Sequence, residues 1–290
     1  MGVYIAAIGF GLVAAAVLAI AAVGFTMQFA VTDVLNLAYG GVMIAAAYIT
    51  YAVNRLGVTV WLGVVAGAVA GAGLSVLLNR VVYTPFQRRK ISSIGIVIVS
   101  LGMALVFEYV VQAVAGPTNV SYTMSQGPTL RLGSFQLTTV QLVIIALSIL
   151  TMIVIHFLLQ YTRLGKAMRA TAANRSLARN CGIRTDRVVT LTWLITGALC
   201  GVSGSVFAMN SGSFGATSTD LFLVIILAAV FLGGIGQPYG AMLGALVIGL
   251  ITEVSAALIT PSYKDVIAFV ILVVMMASRP RGLFGAELST

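Results

Sequence analysis

The chain has 290 residues, of which 60% are apolar and only 8% charged, against ~25% charged in an ordinary soluble domain. Its charges, net +9, are clustered and leave runs of about twenty uncharged residues, each long enough to cross a ~30 Å hydrocarbon layer as a helix. This excludes a soluble fold, and the runs lack the alternation of an outer-membrane barrel, so the composition specifies an all-α, polytopic transmembrane helical bundle, a single domain over 1–290.

Met1-Gly2-Val3-Tyr4 carries no basic residue, so the start lacks the charged region of a cleaved secretory signal. Apolar runs follow at 4–26, 38–54, 58–79, 92–114, 139–159, 188–209, 220–235, 240–260 and 264–278. Polar groups, Asp33 and Asn36 among them, interrupt 23–41, which reads as a broken or re-entrant helix, so about 8–10 spans are expected. Gly67 and Gly71 make a G-x-x-x-G spacing, a close-packing signal between helices in lipid. Segment 115–138 is polar. A glycine-rich turn runs from Gly233 to Gly240. Tyr39-Gly40-Gly41-Val42-Met43 is echoed by Tyr239-Gly240-Ala241-Met242-Leu243. Transporters built from repeats place their substrate sites at such breaks, although coincidence explains so short an echo as well.

Lys and Arg mark the cytoplasmic side. Arg80, Arg88, Arg89 and Lys90 form one cluster. Arg163, Lys166, Arg169, Arg175, Arg179, Arg184 and Arg187 form a second, and Arg279 with Arg281 a third; together they hold 13 of the 16 basic residues. An even number of runs separates each cluster from the next. Loop 160–187 and the C-terminus are therefore expected in the cytoplasm, the turn Gly233–Gly240 near it, and 115–138 and the N-terminus outside. The positive charge thus records membrane topology, and no nucleic-acid partner is expected.

Intramembrane polar groups are costly and hence functional candidates. Here they are Asp33, Asn36, Glu108, His156 and Glu253; each also admits the plainer role of an interhelical hydrogen bond. Catalysis finds no support. One histidine and the separated thiols Cys181 and Cys200 build neither a zinc site nor a disulfide framework, and H-E-x-x-H, G-x-S-x-G and P-loop patterns are absent. No enzymatic activity, cofactor or metal is expected. A channel would require a filter of repeated carbonyl or acidic oxygens. A secondary transporter would want paired intramembrane charges, and Glu108 and Glu253 have no evident intramembrane basic partner.

Loop 160–187 holds seven of the basic residues and an Ala/Leu-rich helical stretch that Gly182 would cap. Arg175 and Arg179 fall on one face. The stretch reads either as a solvated, topology-setting loop or as an amphipathic helix docking into a partner's groove.

Thr162-Arg163-Leu164-Gly165-Lys166-Ala167-Met168-Arg169-Ala170, followed by Gly182-Ile183-Arg184-Thr185-Asp186-Arg187-Val188, resembles the cytoplasmic coupling loop of branched-chain amino acid ABC transporter permeases of the LivH type. Leu232-Gly233-Gly234-Ile235-Gly236, Gly240-Ala241-Met242-Leu243-Gly244, Tyr263-Lys264-Asp265, Arg279-Pro280-Arg281-Gly282-Leu283-Phe284-Gly285 and Asn36-Leu37-Ala38-Tyr39-Gly40 extend the resemblance over the whole chain. Three positions depart from the family pattern: Tyr39, usually His; Gly41, often acidic; and Glu108, a neutral polar residue. Related permeases carry urea, short amides or other small solutes, so the solute stays open.

The resemblance implies an inner-membrane importer subunit working by alternating access. Its partners would be a second homologous permease, two cytoplasmic ATP-binding subunits and an extracytoplasmic substrate-binding protein. It places the ATPase contact between Gly165 and Gly182, with Arg163, Met168, Ala172, Ala173 and Leu177 in the contact and Arg175 and Arg179 at its rim. Substrate would pass the breaks, at Asp33, Asn36, Tyr39, Gly40, Glu108, Gly233, Gly234, Gly236 and Gly240.

Overall fold

The computed structural model describes residues 2–89, 91–124, 127–132, 135–258, 260, 263–278 and 282–283. Lys90, Arg279 and Arg281, used above to assign sides, lie outside the described residues. The elements are α1 (Gly2–Thr32), α2 (Tyr39–Arg55), α3 (Val60–Leu78), a π-helical turn (Asn79–Tyr83), α4 (Thr84–Arg88), α5 (Ser93–Ala115), β1 (Thr129–Leu132), β2 (Phe135–Thr138), α6 (Thr139–Tyr161), α7 (Arg163–Ala173), α8 (Arg175–Asn180), α9 (Thr185–Ser211), α10 (Ser218–Gly233), α11 (Pro238–Leu258) and α12 (Lys264–Ser278).

Each apolar run of the sequence is a helix. Six helical stretches are long and apolar enough to cross a membrane. The others, α2, α10 and α12, have 17, 16 and 15 residues. A 16-residue helix is about 24 Å long, short of a ~30 Å hydrocarbon layer. The one sheet among the described residues is the antiparallel hairpin β1–β2, in register Thr129↔Thr138. It leads into α6 through a capping box: Thr138 Oγ1 accepts from Gln141 N–H at 3.3 Å and Gln141 Oε1 from Thr138 N–H at 3.0 Å.

Helix α1 is the central pillar, with Ile20 through Val23 fully buried. It runs past the expected end at residue 26, because Thr26 and Gln28 stay helical and Thr32 Oγ1 bonds back to the Gln28 carbonyl at 2.7 Å. The break is accordingly narrower than the sequence suggests, 33–38. Asp33 ends α1 in the left-handed region at φ 54°, its N–H on the Phe29 carbonyl at 2.8 Å. Asp tolerates this conformation better than most residues.

Glycines bring α3 and α9 together. A methyl group on Gly71 would strike the Gly197 carbonyl, and one on Gly201 the Gly67 carbonyl. The G-x-x-x-G of α3 thus meets a second, Gly197-x-x-x-Gly201, on α9, and backbone-to-backbone packing replaces side-chain interdigitation. Beside them Thr50 and Ser205 share a hydrogen bond of 2.7 Å.

The ends of the bundle differ. At one, Asn54 clamps Thr123, accepting its N–H at 2.7 Å, while Val120 bridges Phe214 and Tyr122 O–H donates to the Ala47 carbonyl at 3.0 Å. At the other, the π-turn, α4, α8 and the start of α9 surround one cleft, so the two described basic clusters share an end.

Candidate passage and coupling sites

The break between α1 and α2 is held by side chains from three other helical segments. Tyr83, in the π-turn, donates its hydroxyl to Asn36 Oδ1 at 2.6 Å and stacks on Trp193 of α9, with centroids 5.1 Å apart. Ser100 of α5 accepts the Leu37 N–H at 3.2 Å, and its own proton lies between the carbonyls of Val97 (2.8 Å) and Leu35 (3.3 Å). Gln87 reaches the Thr32 carbonyl at 3.4 Å. Asn36, Tyr83 and Trp193 are buried, whereas Asp33 is exposed. The π-turn matters because its wider winding carries Asn79 and Tyr83 both inward at the end of α3.

Tyr39, the first residue of α2, points into the protomer. It is 1% exposed, donates to the Ala21 carbonyl at 3.2 Å, and meets Phe25 edge-on. Its own carbonyl accepts from Cys200 Sγ at 3.3 Å. The next residues face a different neighbourhood. Gly40 accepts from Thr219 Oγ1 at 3.0 Å, and Gly41 lies so close to Phe107 that a Cβ there would crowd its side chain.

This brings together a group the sequence scatters. Glu108 adjoins Phe107 on α5; Asp220 adjoins Thr219 in the first turn of α10; the two carboxyls lie within electrostatic range of each other. Asp220 is exposed and Glu108 half-buried. Asp220 was not singled out from sequence, where it reads as an ordinary acidic residue at a helix start. The signal that marks it is the preceding irregular segment Gly212–Thr217, a further break.

Gly233, Gly234, Gly236 and Gly240 form an α10–α11 corner at the basic end of the bundle. A methyl on Gly233 would strike the Gly240 carbonyl, and Gly234 and Gly236 take φ of 104° and 85°. Gly236 comes near Ala30 of α1, so this corner and the Asp33 break are neighbours, and Leu283 N–H closes over the corner onto the Leu232 carbonyl at 2.9 Å. The short helix α10 is thereby held at both ends by a glycine at a helix start, Gly40 at one and Gly240 at the other. The echoed tyrosines are not equivalent: Tyr39 is buried, but Tyr239 is 40% exposed and hydrogen-bonds His156 Nδ1 at 3.0 Å and Gln160 at 3.4 Å. Glu253 pairs with Lys264 at the start of α12, a contact made by a helix hairpin rather than by spacing within one span.

Stretch 163–182 is two helices, not the one the Ala/Leu pattern suggests. Asn174 leaves helical geometry, at φ −158°, and caps α8 by accepting the Leu177 N–H at 3.0 Å. Thr162 caps α7 in the same way through Gly165 N–H at 3.0 Å. Gly165 sits against the Leu158 and Leu159 carbonyls of α6, where no Cβ fits. Gly165, Met168 and Thr171 form the buried face of α7, with Met168 2% exposed. Ala178 anchors α8, and Gly182 closes it in a Schellman motif, Gly182 N–H to Arg179 and Ile183 N–H to Ala178, each 3.0 Å, with Gly182 at φ 84°. Arg175 and Arg179 reach Asp186 at 3.6 and 3.1 Å. Arg163, Ala172, Ala173, Arg175 and Leu177 all face outward, Leu177 at 59% exposure. The result is a firmly seated pair of helices presenting a small-residue and leucine surface away from the bundle.

A helical bundle with broken and shortened helices and externally mounted short helices at one end defines a multi-pass membrane permease. Residues 7–276 match the family described as branched-chain amino acid transport system / permease component, and the chain belongs to that family. It is similar to the high-affinity branched-chain amino acid transport system permease protein LivH of Escherichia coli K12, 30% identical over 92% of this chain and 91% of that one. BraD of Pseudomonas aeruginosa, also named as such a permease protein, is 27% identical over 95% and 94%. Among solved structures, PsaBC from Streptococcus pneumoniae in complex with Fab has a similar fold, with TM-score 0.53 and 15% identity over 95% of this chain and 92% of that one.

Proposed function

We propose that the chain is a membrane subunit of an ABC importer that moves branched-chain amino acids inward by alternating access. It would pair with a second homologous permease, two ATP-binding subunits at the basic end, and a substrate-binding protein at the end carrying β1–β2. That orientation places 160–187 and the C-terminus in the cytoplasm of the cell bounded by the inner membrane. The observation that carries the reading is the seating of α7 and α8. A surface of Ala172, Ala173 and Leu177 faces away from the bundle, while Gly165, Met168 and Ala178 fix it to α6 and the core.

A push on α8 has a route inward. Arg175 and Arg179 tie α8 to the first turn of α9; Trp193 lies two turns along α9, stacked on Tyr83; and Tyr83 holds Asn36 in the break. Such a chain of packed and hydrogen-bonded groups is a physical route for coupling. The passage itself is assigned to the Gly40–Glu108–Asp220 neighbourhood. An ionisable group on the outer face of a span is costly in lipid, so the second permease would cover this face and leave polar space between. There a carboxylate meets the ammonium of an amino-acid zwitterion.

The test is reconstitution of the full complex in vesicles with leucine and the binding protein. ATP-dependent leucine uptake, lost without the ATPases, is the expected result. Uptake of urea or a short amide but not leucine would replace the solute. Uptake driven by an ion gradient without ATP would overturn the reading.

A further inference from the structure

Three arginines of the cleft at the basic end, Arg80, Arg88 and Arg89, have no part in the transport reading. It measures about 900 Å³ and is lined by Arg80 of the π-turn, Arg88 and Arg89 at the end of α4, Arg175 and Arg179 of α8, and Asp186, with Asn79, Gln87 and Thr190 among the other lining residues. Asp186 is the single acid in that lining and is already engaged by Arg175 and Arg179. Among the described residues Arg80, Arg88 and Arg89 have no ion-pair partner, and all three are exposed. Like charges converging on one hollow repel each other unless an anion sits between them.

The surroundings specify which anion. Arg80 is flanked on its own helix by Leu77 and Val81, 58% and 63% exposed, and Thr190 on α9 is followed by Leu191 and Leu194, 42% and 44% exposed. Exposed apolar side chains thus lie beside the arginines at the end of α3 (Leu77), in the π-turn (Val81) and on α9 (Leu191 and Leu194). A soluble anion has no use for them; acyl chains do. Basic pockets between transmembrane helices at the cytoplasmic face suit anionic headgroups, and arginine's planar fork suits phosphate oxygens. We propose that this cleft seats the phosphodiester headgroup of an anionic phospholipid, with Arg80, Arg88 and Arg89 as its ligands. The lipid would join the π-turn, whose Tyr83 holds Asn36, to the end of α4.

The experiment measures association of spin-labelled phosphatidylglycerol with the full chain in phosphatidylcholine vesicles. Wild type should select phosphatidylglycerol over phosphatidylcholine. Each arginine neutralised among Arg80→Gln, Arg88→Gln and Arg89→Gln should weaken the selection roughly fivefold. Should the triple variant fail to insert, the single Arg88→Gln and the charge-keeping triple R80K/R88K/R89K carry the test, the first losing selectivity and the second keeping most of it. Neutralising Lys166 and Arg169, basic but outside the cleft, should leave the lipid selection unchanged. Selection that survives the glutamine substitutions, or falls equally in the α7 control, overturns the proposal. So does displacement of the lipid by inorganic phosphate at equal concentration, which would mark a free-anion site. So does loss of selection when the ATP-binding subunits assemble, which would mean that a protein carboxylate fills the cleft.

Discussion

The Tyr83 hydroxyl donates to Asn36 Oδ1 at 2.6 Å while the Tyr83 ring stacks on Trp193. One side chain therefore joins the end of α3, the body of α9 and the α1–α2 break. In Tyr83→Phe the ring and its stacking remain, but the buried Asn36 oxygen loses its partner, at a cost of about 1–3 kcal/mol. The expected result is a lower unfolding midpoint and, in the reconstituted complex, fewer solutes moved per ATP with hydrolysis retained. Equal loss of hydrolysis and uptake would make Tyr83 a purely structural support.

Glu108 and Asp220 should act together on one solute. Glu108→Gln and Asp220→Asn keep size and remove charge. Each should reduce leucine uptake about tenfold, the effect of ~1.4 kcal/mol of charge-assisted hydrogen bonding, without changing membrane insertion. If the two sites contact the same group, the double variant should fall well short of the product of the single effects. Unchanged uptake in both single variants would remove this neighbourhood from the passage.

Gly71→Leu and Gly197→Leu each force a side chain into the other helix's carbonyl. Overpacking costs typically ~1–3 kcal/mol, and here the obstruction is backbone, which cannot rotate away. Both variants should insert but lose the α3–α9 contact, which a lower thermal unfolding midpoint would report. A wild-type unfolding midpoint in either variant would show that the contact is not glycine-dependent.

Gly165→Ala places a methyl on the Leu158 carbonyl. It should tilt or detach α7 and lower ATPase retention even though residue 165 is buried. A charged replacement there tests the fold of α7 rather than its outer surface, so Gly165→Glu is a poor probe of docking. Retention of the ATPase at the wild-type level in Gly165→Ala would contradict the tight seating of α7.

Spans, breaks and the helical character of 163–180 were legible because their signals are local. Twenty apolar residues need no partner to be read as a helix, and Gly182 closes a helix by its own conformation. Asn174 was missed because Ala and Leu on both sides continue a helical pattern, and only the capping geometry shows that the chain turns there. Tyr39 looked like a lining residue from its place beside a break; its burial depends on Phe25 and Ala21, residues of another helix. Asp220, the Glu253–Lys264 pair and the arginine cleft are all products of long-range assembly. They join helices whose pairing no periodicity encodes.

On the proposed reading, the ATP-binding subunits drive the chain through the outward surface of α7 and α8. Leu177 is 59% exposed and supports nothing inside the bundle, so Leu177→Glu leaves the fold alone. The direct measurement is ATPase co-purification and ATP-driven leucine uptake for this variant in the full complex. Normal insertion, a retained permease partner, lost ATPase and no uptake are expected. Wild-type uptake with Glu at 177 would contradict that reading.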